Sequence, residues 1–123
     1  GVLADCGYTS AKDIIKKVIR QMGLPANLCY PFVNWGAKMF GRFDLEETSA
    51  VEAVRGSKIP ILIIHGDDDR FVPCTMSREC LQACQEQVEL ALVEGAGHGI
   101  SHCVDVEKYE DAVRAFFRKT LGE

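Results

Sequence analysis

The sequence lacks the features that would place it in several common classes of protein. Its 123 residues carry 14 basic and 18 acidic side chains, a formal net charge of −4, so there is no positive excess to attract a phosphate backbone. No apolar run approaches the roughly 20 residues of a membrane-spanning helix, and the first residues lack the basic and apolar regions of a signal peptide. We therefore expect no nucleic-acid partner, no membrane segment and a cytoplasmic location.

The six cysteines are not spaced as ligands of a structural metal. No two of them form a C-x-x-C pair, and the three histidines do not complete a zinc spacing with them. Disulfide scaffolds are usually small and rich in loops, whereas 47% of this chain is hydrophobic. We expect reduced, mostly structural thiols, a reducing compartment, and neither a metal nor another cofactor.

The stretch that organises the chain runs from Ile59 to Pro73 and reads I-P-I-L-I-I-H-G-D-D-D-R-F-V-P. Its apolar residues predict a short strand that is buried on both faces, as in a parallel sheet. The strand is followed at once by Asp67, Asp68 and Asp69. Because ligands and reactive groups gather at the carboxyl ends of parallel strands, we expect a site at this edge.

Hydrophobic spacing and turn residues predict the remaining elements. Two further strands are expected over 1–5 and 88–93, and helices are expected from Ser10, from Pro31 to Gly41, from Ser49, over about 75–87 and after Asp105. Ser10 with Asp13, and Ser49 with Glu52, have the spacing of helix-capping pairs. The order of elements indicates a three-layer α/β fold with about three parallel strands and right-handed crossovers.

Residues 31–47 are a candidate for an inserted, lid-like segment because they are rich in aromatic side chains. Trp35, Met39 and Phe40 are the candidates for lining a substrate pocket. The alternative is that they are ordinary core residues of a short helix.

The strongest chemical inference joins Asp69 and His98. Neighbouring strands lie roughly 5 Å apart, so the loops after the second and third strands can bring these two side chains together. A carboxylate that accepts the Nδ1 proton of an imidazole fixes its tautomer and leaves Nε2 free as a general base. The alternative is an ordinary loop histidine beside an acidic turn.

The two motifs together resemble a known family. H-G-D-D-D-R-F-V-P followed by V-E-G-A-G-H is similar to the C-terminal half of the α/β-hydrolases, in the serine-hydrolase branch of acyl-peptidase and esterase-like enzymes. In that family the Asp of H-G-x-x-D-x-x-V-P is the triad acid and the His of G-x-G-H is the base. The resemblance therefore implies these roles for Asp69 and His98, acting through an acyl-enzyme on an ester, thioester or amide of a small-molecule, acyl or peptide substrate.

One part of the family pattern is missing. The sequence has no G-x-S-x-G motif, whose Ser is the nucleophile of the family. We therefore expect residues 1–123 to be the C-terminal portion of a larger hydrolase, inactive alone, with its nucleophile before Gly1. Ser10, Ser77, Ser101 and Cys6 are weaker candidates, because packing or capping explains them better.

Two other classes remain open. The Asp67–Asp69 cluster could hold Mg²⁺ for phosphoryl transfer, since clustered carboxylate oxygens suit that ion. The chain could instead be a non-catalytic module. We also expect the isolated chain to self-associate, because an exposed sheet edge favours pairing with another copy.

Overall fold

The computed structural model describes residues 1–47 and 49–122, and in this part of the chain it contains a sheet of three parallel strands. The strands are β1 (Val2–Asp5), β2 (Ile61–Gly66) and β3 (Val88–Val93), in the spatial order β1-β2-β3. Val2 lies opposite Ile61, and Ile61 lies opposite Val88. The predicted parallel α/β fold is confirmed, and the carboxyl ends of all three strands meet at one edge.

Helices cover both faces of this sheet. They are α1 (Ala11–Gln21), α2 (Ala26–Gly36) continued by a π-helical turn (Ala37–Gly41), α3 (Ala50–Arg55), α4 (Cys74–Ala83), α5 (Ser101–Val104) and α6 (Val106–Leu121). Within residues 1–47 and 49–122, no helix combines the length and apolar character needed to cross a membrane.

The core is divided by β2, whose six residues are all buried. One face of the sheet packs on α3 and α4 through the cluster Val54, Ile61, Ile63, Cys80 and Val88. The opposite face packs on α6 through the cluster Leu62, Ile64, Val93, Ala96 and Phe116. Alternate residues of β2 thus enter different clusters, which explains the unbroken apolar run in its sequence.

The two predicted capping pairs differ in the structure. The Asp13 backbone N–H donates to Ser10 Oγ over 3.1 Å, so this pair begins α1 as predicted. Ser49 begins α3, but the predicted side-chain cap is wrong, because its hydroxyl donates to the carbonyl oxygen of Thr9 over 3.2 Å. The Ser49 side chain therefore ties α3 to the segment that precedes α1.

The helix predicted from Pro31 begins five residues earlier, at Ala26. The carbonyl of Pro25 accepts the N–H groups of Leu28 and Cys29, which starts the first turn directly after α1. Tyr30 then packs in a cluster with Ile19 of α1. The helix continues through Pro31 because this packing holds it, at the cost of one backbone hydrogen bond.

Two other boundaries differ from the sequence prediction. Helix α4 ends at Ala83 rather than near residue 87, since the backbone of Cys84 leaves the helical conformation and its carbonyl accepts the N–H of Val88. Helix α5 was not predicted, and its four residues carry too little periodicity to signal a helix.

Strand β1 forms one edge of the described sheet. The N–H groups of Val2 and Cys6 donate to Pro60 and Ile64, on the β2 side. Because N–H directions alternate along a strand, that of Leu3 points away from β2. Val2 and Leu3 are 42% and 38% exposed, and an apolar groove of about 360 Å³ opens beside β1.

We propose that this chain self-associates through β1, since an unpaired, apolar edge is a template for strand pairing. In sedimentation velocity experiments we expect its average mass to rise with concentration. Leu3→Pro removes the outward N–H and keeps the bonds to β2, so it is expected to weaken association, whereas Leu3→Thr retains the N–H and is the control. A concentration-independent monomer would contradict the proposal.

Candidate active site

The turn after β2 is built around the carboxylate of Asp69. Its Oδ1 accepts the backbone N–H groups of Phe71 and Val72, at 2.9 and 2.8 Å. The Asp69 side chain is fully buried by this turn. One oxygen is therefore used to fold the chain, and the other is left to face the loop that follows β3.

That second loop comes unusually close to β2. A Cβ on Gly66 would lie 2.1 Å from the carbonyl oxygen of Ala96, so only glycine fits here. The loop also turns at Gly95 and Gly99, whose φ angles of +70° and +68° favour glycine. The glycines of both motifs thus serve one purpose, because they let the loop fold back and carry His98 toward Asp69.

Asp69 and His98 are in direct contact. His98 Nδ1 donates to Asp69 Oδ2 over 2.8 Å, which fixes the tautomer with the proton on Nδ1. Nε2 of His98 has no hydrogen-bond partner within residues 1–47 and 49–122, and the side chain is 43% exposed. The ring of Phe71 lies edge-on to the imidazole, with ring centroids 5.1 Å apart. The geometry leaves one nitrogen of His98 open to accept a proton.

The environment of Asp69 favours its charged form. Burial alone would raise the pKa of this carboxyl group, because desolvation penalises the charge. The hydrogen bond and charge of His98 and the N–H groups of Val72 and Phe71 outweigh that penalty, so the pKa lies below its ordinary value of 3.8. Asp69 is consequently a carboxylate suited to stabilising a positive imidazole.

A second histidine supports the carboxylate from inside the core. His65 Nε2 donates to the carbonyl of Val72 at 2.8 Å and also lies 3.2 Å from Asp69 Oδ2, while Ser77 Oγ lies 2.6 Å from Nδ1. The link from this histidine to Asp69 was not predicted from the sequence. The spacing of four residues between His65 and Asp69 was the available signal.

The other sequence candidates differ in their contacts and burial in the described chain. Asp67 Oδ1 accepts the N–H of Gly95 over 2.7 Å, and Asp68 pairs with Arg70 over 3.4 Å. Among the candidate serines, Ser10 caps α1, Ser77 binds His65, and Ser101 is completely buried. Cys6 is buried at the end of β1, close to both site residues.

The predicted pocket residues Trp35, Met39 and Phe40 lie on α2 and the π-helical turn, with 59%, 59% and 82% of their surface exposed. Helix α2 packs on α1. A separate cleft of about 420 Å³ is lined by Tyr8, Ala11, Ile14, Ile15, Val18, Ile19, Leu45 and Phe71. The Phe71 ring lines this cleft and also contacts the imidazole of His98, so it connects the cleft to the site.

Comparison with known proteins identifies the family. The sequence profile of the prolyl oligopeptidase family, peptidase family S9, matches residues 31–123. This chain belongs to that family. An uncharacterized protein of Mycobacterium tuberculosis (strain H37Rv) is 31% identical over 84 residues, which cover 67% of this chain and 30% of that protein. A non-heme chloroperoxidase of Kitasatospora aureofaciens is 33% identical over 73 residues, or 58% of this chain and 26% of that protein.

Solved structures share the fold. A non-heme bromoperoxidase of M. tuberculosis H37Rv superposes with a TM-score of 0.60 at 17% identity, over 96% of this chain and 57% of that one. An α/β-hydrolase from a lagoon-sediment metagenome gives 0.58 at 14% identity, over 95% of this chain and 49% of that one. The α/β-hydrolase fold is thus confirmed, and the chain spans 30% of the length of the M. tuberculosis relative.

Removing His65 tests the buried network. His65→Ala deprives Ser77, Val72 and Asp69 of a partner, and each unsatisfied buried group costs about 1–3 kcal/mol. We expect the free energy of unfolding, measured by urea denaturation, to fall by about 2–5 kcal/mol. The exposed His102 provides the control, since His102→Ala should change it by about 0.5 kcal/mol or less. Equal effects of the two substitutions would contradict the role of His65.

The lowered pKa of Asp69 predicts a loss of stability in acid. A carboxyl group with a lowered folded-state pKa stabilises the fold above its ordinary pKa, and this contribution disappears as the pH falls through the folded-state value. The difference in unfolding free energy between the wild type and Asp69→Asn should shrink as the pH falls below about 4. Asp68→Asn removes a neighbouring exposed charge and is the control. A difference that stays constant from neutral to strongly acidic pH would show that the carboxylate is not stabilised.

Proposed function

We propose that this chain supplies the general base and the supporting acid of a serine-type α/β-hydrolase. The observation that carries the proposal is the 2.8 Å hydrogen bond from His98 Nδ1 to the buried Asp69, with the imidazole ring partly open to solvent. This arrangement has the chemistry of a general base whose tautomer and orientation are fixed by a carboxylate.

In the proposed mechanism, Nε2 of His98 takes the proton of a serine hydroxyl as the serine oxygen attacks a substrate carbonyl. Asp69 stabilises the imidazolium that forms, and His98 then gives the proton to the leaving group. Water hydrolyses the resulting acyl-enzyme by the same proton transfers. We propose that the serine lies outside residues 1–123, since no G-x-S-x-G motif occurs in them.

We propose that the acyl part of the substrate is apolar. The cleft beside Phe71 is lined by aliphatic side chains of α1, including Ile14 and Val18. The exposed aromatic residues Trp35 and Phe40 offer further apolar surface on the segment proposed as a lid. Such surfaces suit an ester, thioester or amide that carries an acyl chain or an apolar peptide side chain.

The magnesium alternative has less support. The side chains of Asp67 and Asp69 are occupied by backbone N–H groups, and Asp68 pairs with Arg70. Within the described residues the three carboxylates do not converge on one point, as a Mg²⁺ site would require. The hydrolase proposal, in contrast, accounts for Asp69 and His98 together.

A fluorophosphonate probe tests the proposal, because it labels serine nucleophiles that a base has activated. Intact-mass measurements would compare this chain with a chain extended upstream from the same coding region. We expect only the longer chain to be labelled, and His98→Ala to slow its labelling by about 1,000-fold or more. His102→Ala is the matched control and should leave the rate unchanged.

Asp69→Asn is a second variant of the same longer chain. It should also slow labelling strongly, and Asp68→Asn should have little effect. Labelling of the 123-residue chain itself would show that it carries its own nucleophile. Labelling of the longer chain that survived His98→Ala would overturn the assignment of the base.

A further inference from the structure

A third side chain reaches the Asp69–His98 pair. The Cys6 sulfur, an oxygen of Asp69 and a ring nitrogen of His98 lie within 4.8 Å of one another. Cys6 is only 5% exposed, and its Sγ accepts the backbone N–H of Gly99 over 3.3 Å. The three groups come from the ends of β1, β2 and β3, so the sheet itself brings them together.

The backbone of Cys6 adopts a left-handed conformation that helps to set the position of its sulfur. Cys6 has a φ of 51°, in the left-handed region that costs an L-residue roughly 1–2 kcal/mol. Its N–H still donates to Ile64 over 2.9 Å, so the strand pairing holds up to this residue. The chain turns sharply only after that bond, and the side chain is held beneath the loop that carries His98.

Thiolate, imidazole and carboxylate form a ligand set that suits Zn²⁺. A zinc ion about 2.0–2.3 Å from each ligand atom needs those atoms roughly 3–4 Å apart, which is within a small side-chain movement of the observed cluster. We propose that Cys6, Asp69 and His98 form a Zn²⁺ site with one coordination position left for water. Mg²⁺ prefers all-oxygen ligands and is not expected to compete.

Zinc at this site would take up the lone pair with which His98 could accept a proton. If Nδ1 binds the ion, the ring proton moves to Nε2. If Nε2 binds the ion, its lone pair is donated to zinc. In both cases the imidazole can no longer accept a proton from a nucleophile. Binding itself stands on the cluster geometry, while this inhibitory consequence depends on the function proposed above.

Binding also requires the Cys6 thiol to lose its proton. Zinc binds cysteine as the thiolate, so each zinc ion should displace this proton to the buffer.

Isothermal titration of the reduced 123-residue chain with ZnCl₂ is the first test. We expect one ion per chain, release of about one proton when buffers of different ionisation enthalpy are compared, and no binding of MgCl₂. Cys6→Ser should raise the dissociation constant by about tenfold or more. Cys84→Ser and Cys103→Ser are controls, because they leave all three proposed ligands in place. Loss of binding in a control but not in Cys6→Ser would overturn the site.

Nitrogen-15 NMR of the imidazole rings is a second measurement that needs no substitution. Zinc should shift the ring nitrogens of His98 and leave those of the exposed His102 unchanged. If His102 shifted and His98 did not, the proposal would be wrong even if Cys6→Ser failed to fold.

Fluorophosphonate labelling of the longer chain separates this proposal from the proposed function. Zinc should inhibit labelling, and Cys6→Ser should relieve the inhibition. If labelling depends on His98 but zinc neither binds nor inhibits, only the zinc proposal fails. If zinc binds and labelling does not depend on His98, the hydrolase assignment fails and the zinc site stands.

Discussion

The carboxylate of Asp69 is the group on which the rest of the site depends. Its Oδ1 accepts two backbone N–H groups that fold the turn after β2, and its Oδ2 faces His98 and the buried His65. A buried carboxylate without these partners would be costly, because its charge would be neither solvated nor paired. The same four contacts therefore make the burial tolerable, shape the loop and orient the imidazole. Folding and the proposed chemistry use one side chain.

The sheet makes this convergence possible. Parallel strands end at the same edge, so residues 29 positions apart in sequence can meet across one strand spacing. Burial of β2 on both faces fixes its register, since a shift by one residue would exchange the side chains between the two core clusters. Gly66 then admits the backbone of Ala96 at a distance that any Cβ would block. Core packing and backbone sterics thus set the position of His98.

The proposed zinc site and the proposed base share this geometry. An imidazole that is held by a carboxylate and partly open to solvent is suited to accept a proton and also to accept a metal ion. Cys6 is the residue that would add metal binding to proton acceptance. Its sulfur lies beside Asp69 and His98, and its backbone adopts a strained conformation. A serine or alanine there would leave the acid and base in place and remove the soft ligand. The identity of one residue at the end of β1 would then decide whether zinc controls the site.

The sequence by itself determined the order of elements along the chain and the parallel sheet, and it offered Asp69 and His98 as a candidate pair, because hydrophobic runs, glycines and acidic turns are local signals. It placed the start of α2 wrongly and missed the hydrogen bonds of His65. The start of α2 depends on packing between segments that local patterns do not encode, such as Tyr30 against α1. The link from His65 to Asp69 depends on how the turn after β2 folds, because a spacing of four residues does not by itself fix a contact outside a helix. Only the tertiary structure showed that Cys6 reaches the same point, since a left-handed residue at a strand end has no distinctive sequence pattern. Local chemistry selected the candidate residues, and the close approach of three strand ends decided which of them meet.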